Sequence, residues 1–205
     1  MNLDLPQLAA VAAAMGWASG LRLYAVVFIT GAAGYLGWVP LPSGLHLLQH
    51  PLLLTASFIL FVIEFVADKI PGLDTLWDAV HTFIRIPAGA ALAFGAFNGA
   101  LGVDGNTWAL LAALLGGTLA ATSHAAKATT RAAANTSPEP FSNLALSLAG
   151  DAAVPAMLWL AWQQPQWFWP LLALAVVLAL VLIVVLFKFL RALFRRFSPR
   201  GPALA

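Results

Sequence analysis

Long apolar runs alternate with short clusters of Pro, Gly, Ser, Asn and Gln along this chain. A helix needs about 20 mostly apolar residues to cross a bilayer. Six stretches reach that length: 7–37, 51–70, 74–101, 108–134, 141–163 and 167–190. The breaks between them carry turn chemistry, at Pro40-Leu41-Pro42-Ser43-Gly44, Pro71-Gly72, Asp104-Gly105-Asn106, Ser137-Pro138-Glu139-Pro140 and Gln163-Gln164-Pro165-Gln166. Strands are not expected, because the runs are too long and Ala and Leu dominate over alternating β-branched residues. The first run is interrupted by Ser19-Gly20-Leu21-Arg22, which makes it one broken helix, two half-helices or a re-entrant loop. Pro87 and Pro155 predict kinks in the third and fifth. The fold class is an all-α integral membrane protein of about six transmembrane helices, some broken or kinked, in one polytopic domain.

Composition agrees. Of 205 residues 61% are hydrophobic and only 9% charged, with a mean hydropathy of +0.88. Soluble domains carry about 25% charged residues, so the partner that solvates this surface is the lipid bilayer. A formal net charge of +2 gives no reason to expect nucleic acid, and the absence of cysteine excludes disulfides and thiolate chemistry. Residues 1–6 hold an aspartate and no basic cluster, so the first apolar run is expected to be retained.

Orientation follows from Lys and Arg. Lys188, Arg191, Arg195, Arg196 and Arg200 follow the last run, which places that tail in the cytoplasm. Six crossings then put both termini inside. Residues 38–50, 102–107 and 163–166 contain no Lys or Arg, and Trp38, Trp108, Trp162, Trp167 and Trp169 cluster near the same boundary, as an outer aromatic belt should. The expected location is a bacterial inner membrane.

The charges inside the spans change the picture. Glu64 and Asp68 are four residues apart; Asp74, Asp78, His81 and Arg85 make one helical stripe; His124, Lys127 and Arg131 make another; Asn143, Ser147 and Asp151 a third; Arg22 sits in the first run. A charge at a helix centre costs at least about 2.5 kcal/mol. The stripes must therefore face one another or water. The last run, without charge before Lys188, is left to face lipid. Five acids (Glu64, Asp68, Asp74, Asp78, Asp151) balance five bases (Arg22, Lys69, Arg85, Lys127, Arg131), so mutual pairing can offset desolvation. Lys69 and Asp74 flank a turn and read as solvated. Asp151 is expected to contact Arg22, Arg85 or both.

The segment Glu64-Phe65-Val66-Ala67-Asp68-Lys69-Ile70-Pro71-Gly72-Leu73-Asp74-Thr75-Leu76-Trp77-Asp78-Ala79-Val80-His81, continuing to Arg85, Pro87 and Gly89, resembles the signature of the bacterial membrane family known as domain-of-unknown-function family 4126. Ala18 to Tyr24, and Ser123 to Arg131 continuing through Asn135 to Asn143, resemble two further stretches of it. The resemblance implies an acidic pair where this chain has Gly150-Asp151, so the first acid is absent here. It implies no activity.

Other chemistry is weakly supported. Glu64, Asp68, Asp74, Asp78 and His81 are potential metal ligands, but Lys69 and Arg85 compete for the carboxylates and the spacing matches no metalloenzyme motif. Adjacent Ser123 and His124 point about 100° apart, which disfavours a triad with Asp151. No cofactor motif is present. Gly95 and Gly99 form a GxxxG element whose ordinary role is packing and whose rarer role is homo-oligomer formation. His46 and His50 read as solvated loop residues.

The expectation is a transporter or channel that moves a small solute, ion or lipid headgroup through a polar cavity open to the cytoplasm. Arg22, Arg85, Lys127 and Arg131 would bind an anionic group. Glu64, Asp68, Asp78 and Asp151 would couple protons or a cation, and His81 and His124 would switch near neutral pH. An intramembrane enzyme acting on a phosphorylated lipid is the first alternative, and a structural or assembly protein the second. Helices one to three and four to six are candidates for inverted repeats.

Overall fold

The computed structural model describes residues 3–98, 105–136 and 141–197. Asp104, the Ser137-to-Pro140 turn, Gly99 of the GxxxG element and Arg200 lie outside them. The elements are α1 (Leu5–Tyr35), a 3-10 helix (Ser43–Gln49), α2 (Pro51–Ala67), α3 (Leu73–Phe97), α4 (Gly105–Ala134), α5 (Phe141–Gln163) and α6 (Pro165–Phe197). Among the described residues there is no strand.

Local chemistry sets the helix starts. Asp4 caps α1 in a capping box with Gln7, and Pro6 occupies the first turn. His50, expected to be free in solvent, caps α2 by accepting from the Leu52 amide. Gly72, at φ 86°, makes the turn into α3 that a side chain would resist.

α1 does not run straight. Its helical geometry breaks at Arg22 (φ −146°, ψ 77°). Residues 5–21 run alongside α4 in the same direction, with Gly16 against Gly116 and Gly20 against Ala120 and Ser123. Residues 23–35 return antiparallel to α2: Tyr24 meets Glu64, Phe28 meets Phe58 and Phe61, and Gly31 meets Leu54. An unbroken helix of 31 residues would be about 45 Å long, and could not bring Gly31 to Leu48 while Gly44 rests on Gly95. α1 is therefore a re-entrant hairpin with Arg22 at its tip. The tip meets Lys127, seven residues before the end of α4 at Ala134, or about 10 Å along its axis.

This hairpin is the hub of the bundle. α1 packs against all five other helices, and its first limb joins Phe97, Ala109, Trp162 and Phe168 in one apolar core. Gly16, Gly89 and Gly116 let three backbones meet where a methyl group would overlap. Outward positions are apolar, among them Phe83 at 82% exposure and Leu114 at 70%. Among the described residues five helices are long and apolar enough to cross a membrane, α1 being counted there over both its limbs, and α2 passes that test only together with the 3-10 helix, which bends 70° from it. The chain is a multi-pass membrane protein.

Two expectations change. The start of α1 lies at the end of the bundle that holds the 3-10 helix and the start of α4, whereas α6 finishes at the other end. The hairpin returns where a sixth crossing was expected, so both ends of α1 lie toward the same end of the bundle. Trp162 is buried at 7% exposure, within the core rather than in an interfacial belt. α6 is largely exposed along its length, as its lack of charge predicts.

The cysteine-free chain makes this testable by single-cysteine labelling with an impermeant maleimide. Leu5→Cys and Asn106→Cys should react from one face of the membrane and Thr136→Cys from the other. Reaction of Leu5→Cys from the same face as Thr136→Cys would return α1 to a full crossing.

Candidate functional site

The broken ends of α1 are satisfied by charge. Leu21, ending the first limb, accepts from Lys127 Nζ at 2.9 Å. Tyr24, opening the second, donates its amide to Glu64 Oε2 at 3.3 Å. A cation thus faces a helix C-terminus and an anion a helix N-terminus, as the helix dipole requires.

Around that break the four charge stripes converge. Arg22 pairs with Asp68 and with Asp151, both at 2.6 Å, and donates to Ser147 Oγ at 2.9 Å. Asp68 also receives Lys127 and Arg131, each at 2.8 Å. Asp78 takes Arg85 at 2.7 Å and Lys127 at 3.2 Å. Arg85 forks to Glu64 at 2.8 Å, the planar geometry that suits Arg better than Lys. Glu64, Asp68, Arg85 and Arg22 are essentially inaccessible. All ten predicted site residues except His81 belong to this one lattice. His81 sits at its edge, its Nδ1 donating to Trp77 O at 2.8 Å, its ring stacked on Trp77, and its Nε2 facing the Tyr24 hydroxyl at 3.1 Å.

Asp151 contacts Arg22 as expected and not Arg85, which α2 and α3 claim for Glu64 and Asp78. Lys69 and Asp74 are not the solvated pair that their turn suggests. Lys69 bonds Asp151 at 2.9 Å and Ser147 at 3.2 Å and lies over the Phe65 ring. Asp74 is fully buried, accepting from the Gly72 and Thr75 amides and from Asn135. Asn143 donates in turn to Asn135.

His124 is a poor proton switch. A guanidinium can only donate, so His124 Nδ1 accepts from Arg85 Nη1 at 3.1 Å and its hydrogen is on Nε2, toward Thr82 Oγ1 at 2.7 Å. A second proton would face Arg85. Ser123 donates to Trp17 O and Ala120 O, away from any triad. Among the described residues no three His, Asp or Glu converge to hold a metal; the carboxylates are turned to cations.

The polar interior is a packed lattice rather than the open polar cavity expected. The cavity lies beside it, about 420 Å³, between the hairpin tip, α4, α5 and α6. Its walls are mainly apolar, including Trp17, Leu146, Ala175, Leu178 and Leu182. Only one end is charged, by Arg22, Asp68, Lys127 and Arg131. Gly150 lines it, and a Cβ there would stand 3.9 Å from Arg22 Nε. An acidic side chain at this position would therefore start beside Arg22.

A helical multi-pass membrane protein with a charge lattice around a re-entrant hairpin is the class that these features define. The chain belongs to the family described as Domain of unknown function (DUF4126), which matches residues 9–187. No curated protein and no solved structure matches it.

Removing one member of a buried pair costs about 3–5 kcal/mol. Asp68→Asn takes the shared carboxylate from three cations and leaves Arg131 with no acid nearer than 3.8 Å, so it should lower the melting temperature in detergent more than any other single carboxylate change. Asp151→Asn should cost less, because Asp151 and Lys69 keep 17% and 21% exposure. Arg131→Gln in the Asp68→Asn background should recover part of the loss. Equal destabilisation by Asp68→Asn and Asp151→Asn would show that Asp68 is not the centre of the lattice.

Proposed function

We propose that the protein is a transporter or channel of the bacterial cytoplasmic membrane, passing a small solute, ion or lipid headgroup beside the tip of α1. The observation that carries this reading is the hairpin itself. A helix broken within the membrane, with its free ends held by Lys127 and Glu64, is a costly arrangement, and non-helical backbone at that depth is tolerated where it is buried in protein or lines a pathway. Discontinuous helices of this kind build substrate and ion sites in transporters. Here carboxylates and cations already occupy the positions that ions and anionic substrates take there. Moving the hairpin would exchange those partners, and a lattice in which Asp68 serves three cations offers alternatives for each.

The orientation that accompanies this reading has the end of α6 in the cytoplasm, because Lys188, Arg191 and Arg195 follow the apolar run and Lys69 sits at the same end. The start of α1 is then exoplasmic, and Leu5→Cys and Asn106→Cys should label from outside the cell.

A structural role is the second reading, and the balance of the lattice favours it. Five acids meet five bases, and every one of the five bases has an acidic partner within 3 Å. Such a lattice fixes helix register by itself.

Proteoliposomes separate the two. Proton flux can be followed with an internal pH dye, and headgroup crossing with a fluorescent phospholipid bleached from outside. Transport predicts that one of these exceeds protein-free vesicles and is lost in Arg22→Gln. Background rates in both, with intact protein, favour bracing.

A further inference from the structure

The cavity beside the lattice has a use that the lattice does not explain. We infer that it is a binding site for a phospholipid of the cytoplasmic leaflet, with one acyl chain inside and the acidic headgroup at Arg131. The inference rests on the orientation just proposed but not on transport.

Shape and chemistry point to an amphiphile. A small polar solute would gain nothing from walls made by Leu146, Ala175, Leu178 and Leu182, while a purely apolar ligand would leave the charged end unmatched. At about 420 Å³ the space falls within the usual range of about 300–1,000 Å³ for ligand pockets. The charged end supplies three cations, Arg22, Lys127 and Arg131, around one carboxylate, Asp68. Arg22 and Lys127 are also paired with Asp151 and Asp78, so what this end offers an anion is hydrogen-bond donors not yet used.

Donor accounting selects Arg131. Lys127 Nζ is spent on Leu21 O, Asp68 and Asp78. Both terminal nitrogens of Arg22 are occupied by Asp68, Asp151 and Ser147, which leaves it Nε alone. Arg131 bonds Asp68 through Nη1 alone, and its Nε and Nη2 make no hydrogen bond among the described residues. Depth agrees. Arg131 stands three residues before the end of α4 at Ala134, about 5 Å along the axis, which is headgroup level at the cytoplasmic end. From there the cavity descends past Thr130 and Ala179 to Trp17 and Ala175, the direction an acyl chain takes. The occupant is thus drawn from the membrane rather than from solution.

Trp17 reports on this space directly. It is 7% exposed yet lines the cavity, so a quencher reaches it only from within. Purified protein is titrated with phosphatidylglycerol brominated on its acyl chain, and the Trp17 signal is taken as the difference between unaltered protein and Trp17→Phe. Saturable quenching of that signal is expected, with roughly fivefold tighter binding than brominated phosphatidylcholine, the size expected of one cation near the headgroup. Arg131→Gln should abolish the preference and Arg131→Lys should keep it. Ala179→Phe should protect Trp17 from both lipids while the exposed tryptophans stay quenched. No quenching of Trp17, or quenching that Ala179→Phe leaves unchanged, overturns the cavity as the site. Equal affinity for the two lipids overturns the acidic headgroup. Displacement by inorganic phosphate overturns the lipid as its source. None of these readings depends on flux, so failure here and failure of the transport reading are separable.

Discussion

One carboxylate holds the architecture together. Asp68, just past the end of α2, receives Arg22 from the hairpin tip and Lys127 and Arg131 from α4. Three helices meet at its two oxygens, and the turn into α3 begins one residue later. With water excluded, no member of this group can be satisfied by solvent, so position and charge are fixed together. The hairpin can stop where it does because Arg22 finds Asp68 and Asp151 there, and because the chain ends released by the break find Lys127 and Glu64.

The lattice also divides the interior into two unlike environments. On the α2–α3 side charges are packed with no room between them, and even His124 is locked by Arg85 and Thr82. On the α5–α6 side the packing opens into a space with apolar walls. Arg131 belongs to both, bonded to Asp68 with one nitrogen and lining the space. That division places adaptability where small side chains face each other, at Gly150, Ala153, Ala175 and Ala179, and rigidity where the charges are.

Much of this was legible in the residues. The apolar runs placed six helices within a few residues, because hydrophobic length is the strongest signal that a membrane protein carries. Helical spacing put the charged stripes inward, because a charge facing lipid has no partner. Charge balance foretold pairing. What the stripes could not convey was who pairs with whom, since that depends on helix direction. Arg85 was a reasonable partner for Asp151 until α2 intervened with Glu64. The turn at Lys69 and Asp74 read as solvated because turn residues usually are; here Lys69 finds Asp151 and Ser147, and Asp74 the Gly72 and Thr75 amides and Asn135. The break at Ser19-Gly20-Leu21-Arg22 was visible, but its angle was not. A reversal and a mild kink have the same composition, and only Glu64 and Lys127, distant in sequence, decide between them. Tyr24, Thr82 and Asn135 were not read as lattice members; Thr82 and Asn135 stand four residues after Asp78 and Arg131, and Tyr24 and Asn135 lie in the stretches that resemble the family.

The central position of α1 also bears on assembly. During synthesis α1 leaves the ribosome before α2 to α6, so almost none of its final neighbours exists at that moment. Arg22 waits for Asp68, Leu21 for Lys127, and the second carboxylate at Arg22 arrives only with α5. A hairpin whose charge has no partner until α2 is made, and whose full set of partners arrives only with α4 and α5, is unable to settle in lipid on its own. α1, made before its partners, must therefore be completed after them, held at the interface or in the insertion machinery until the later helices close around it.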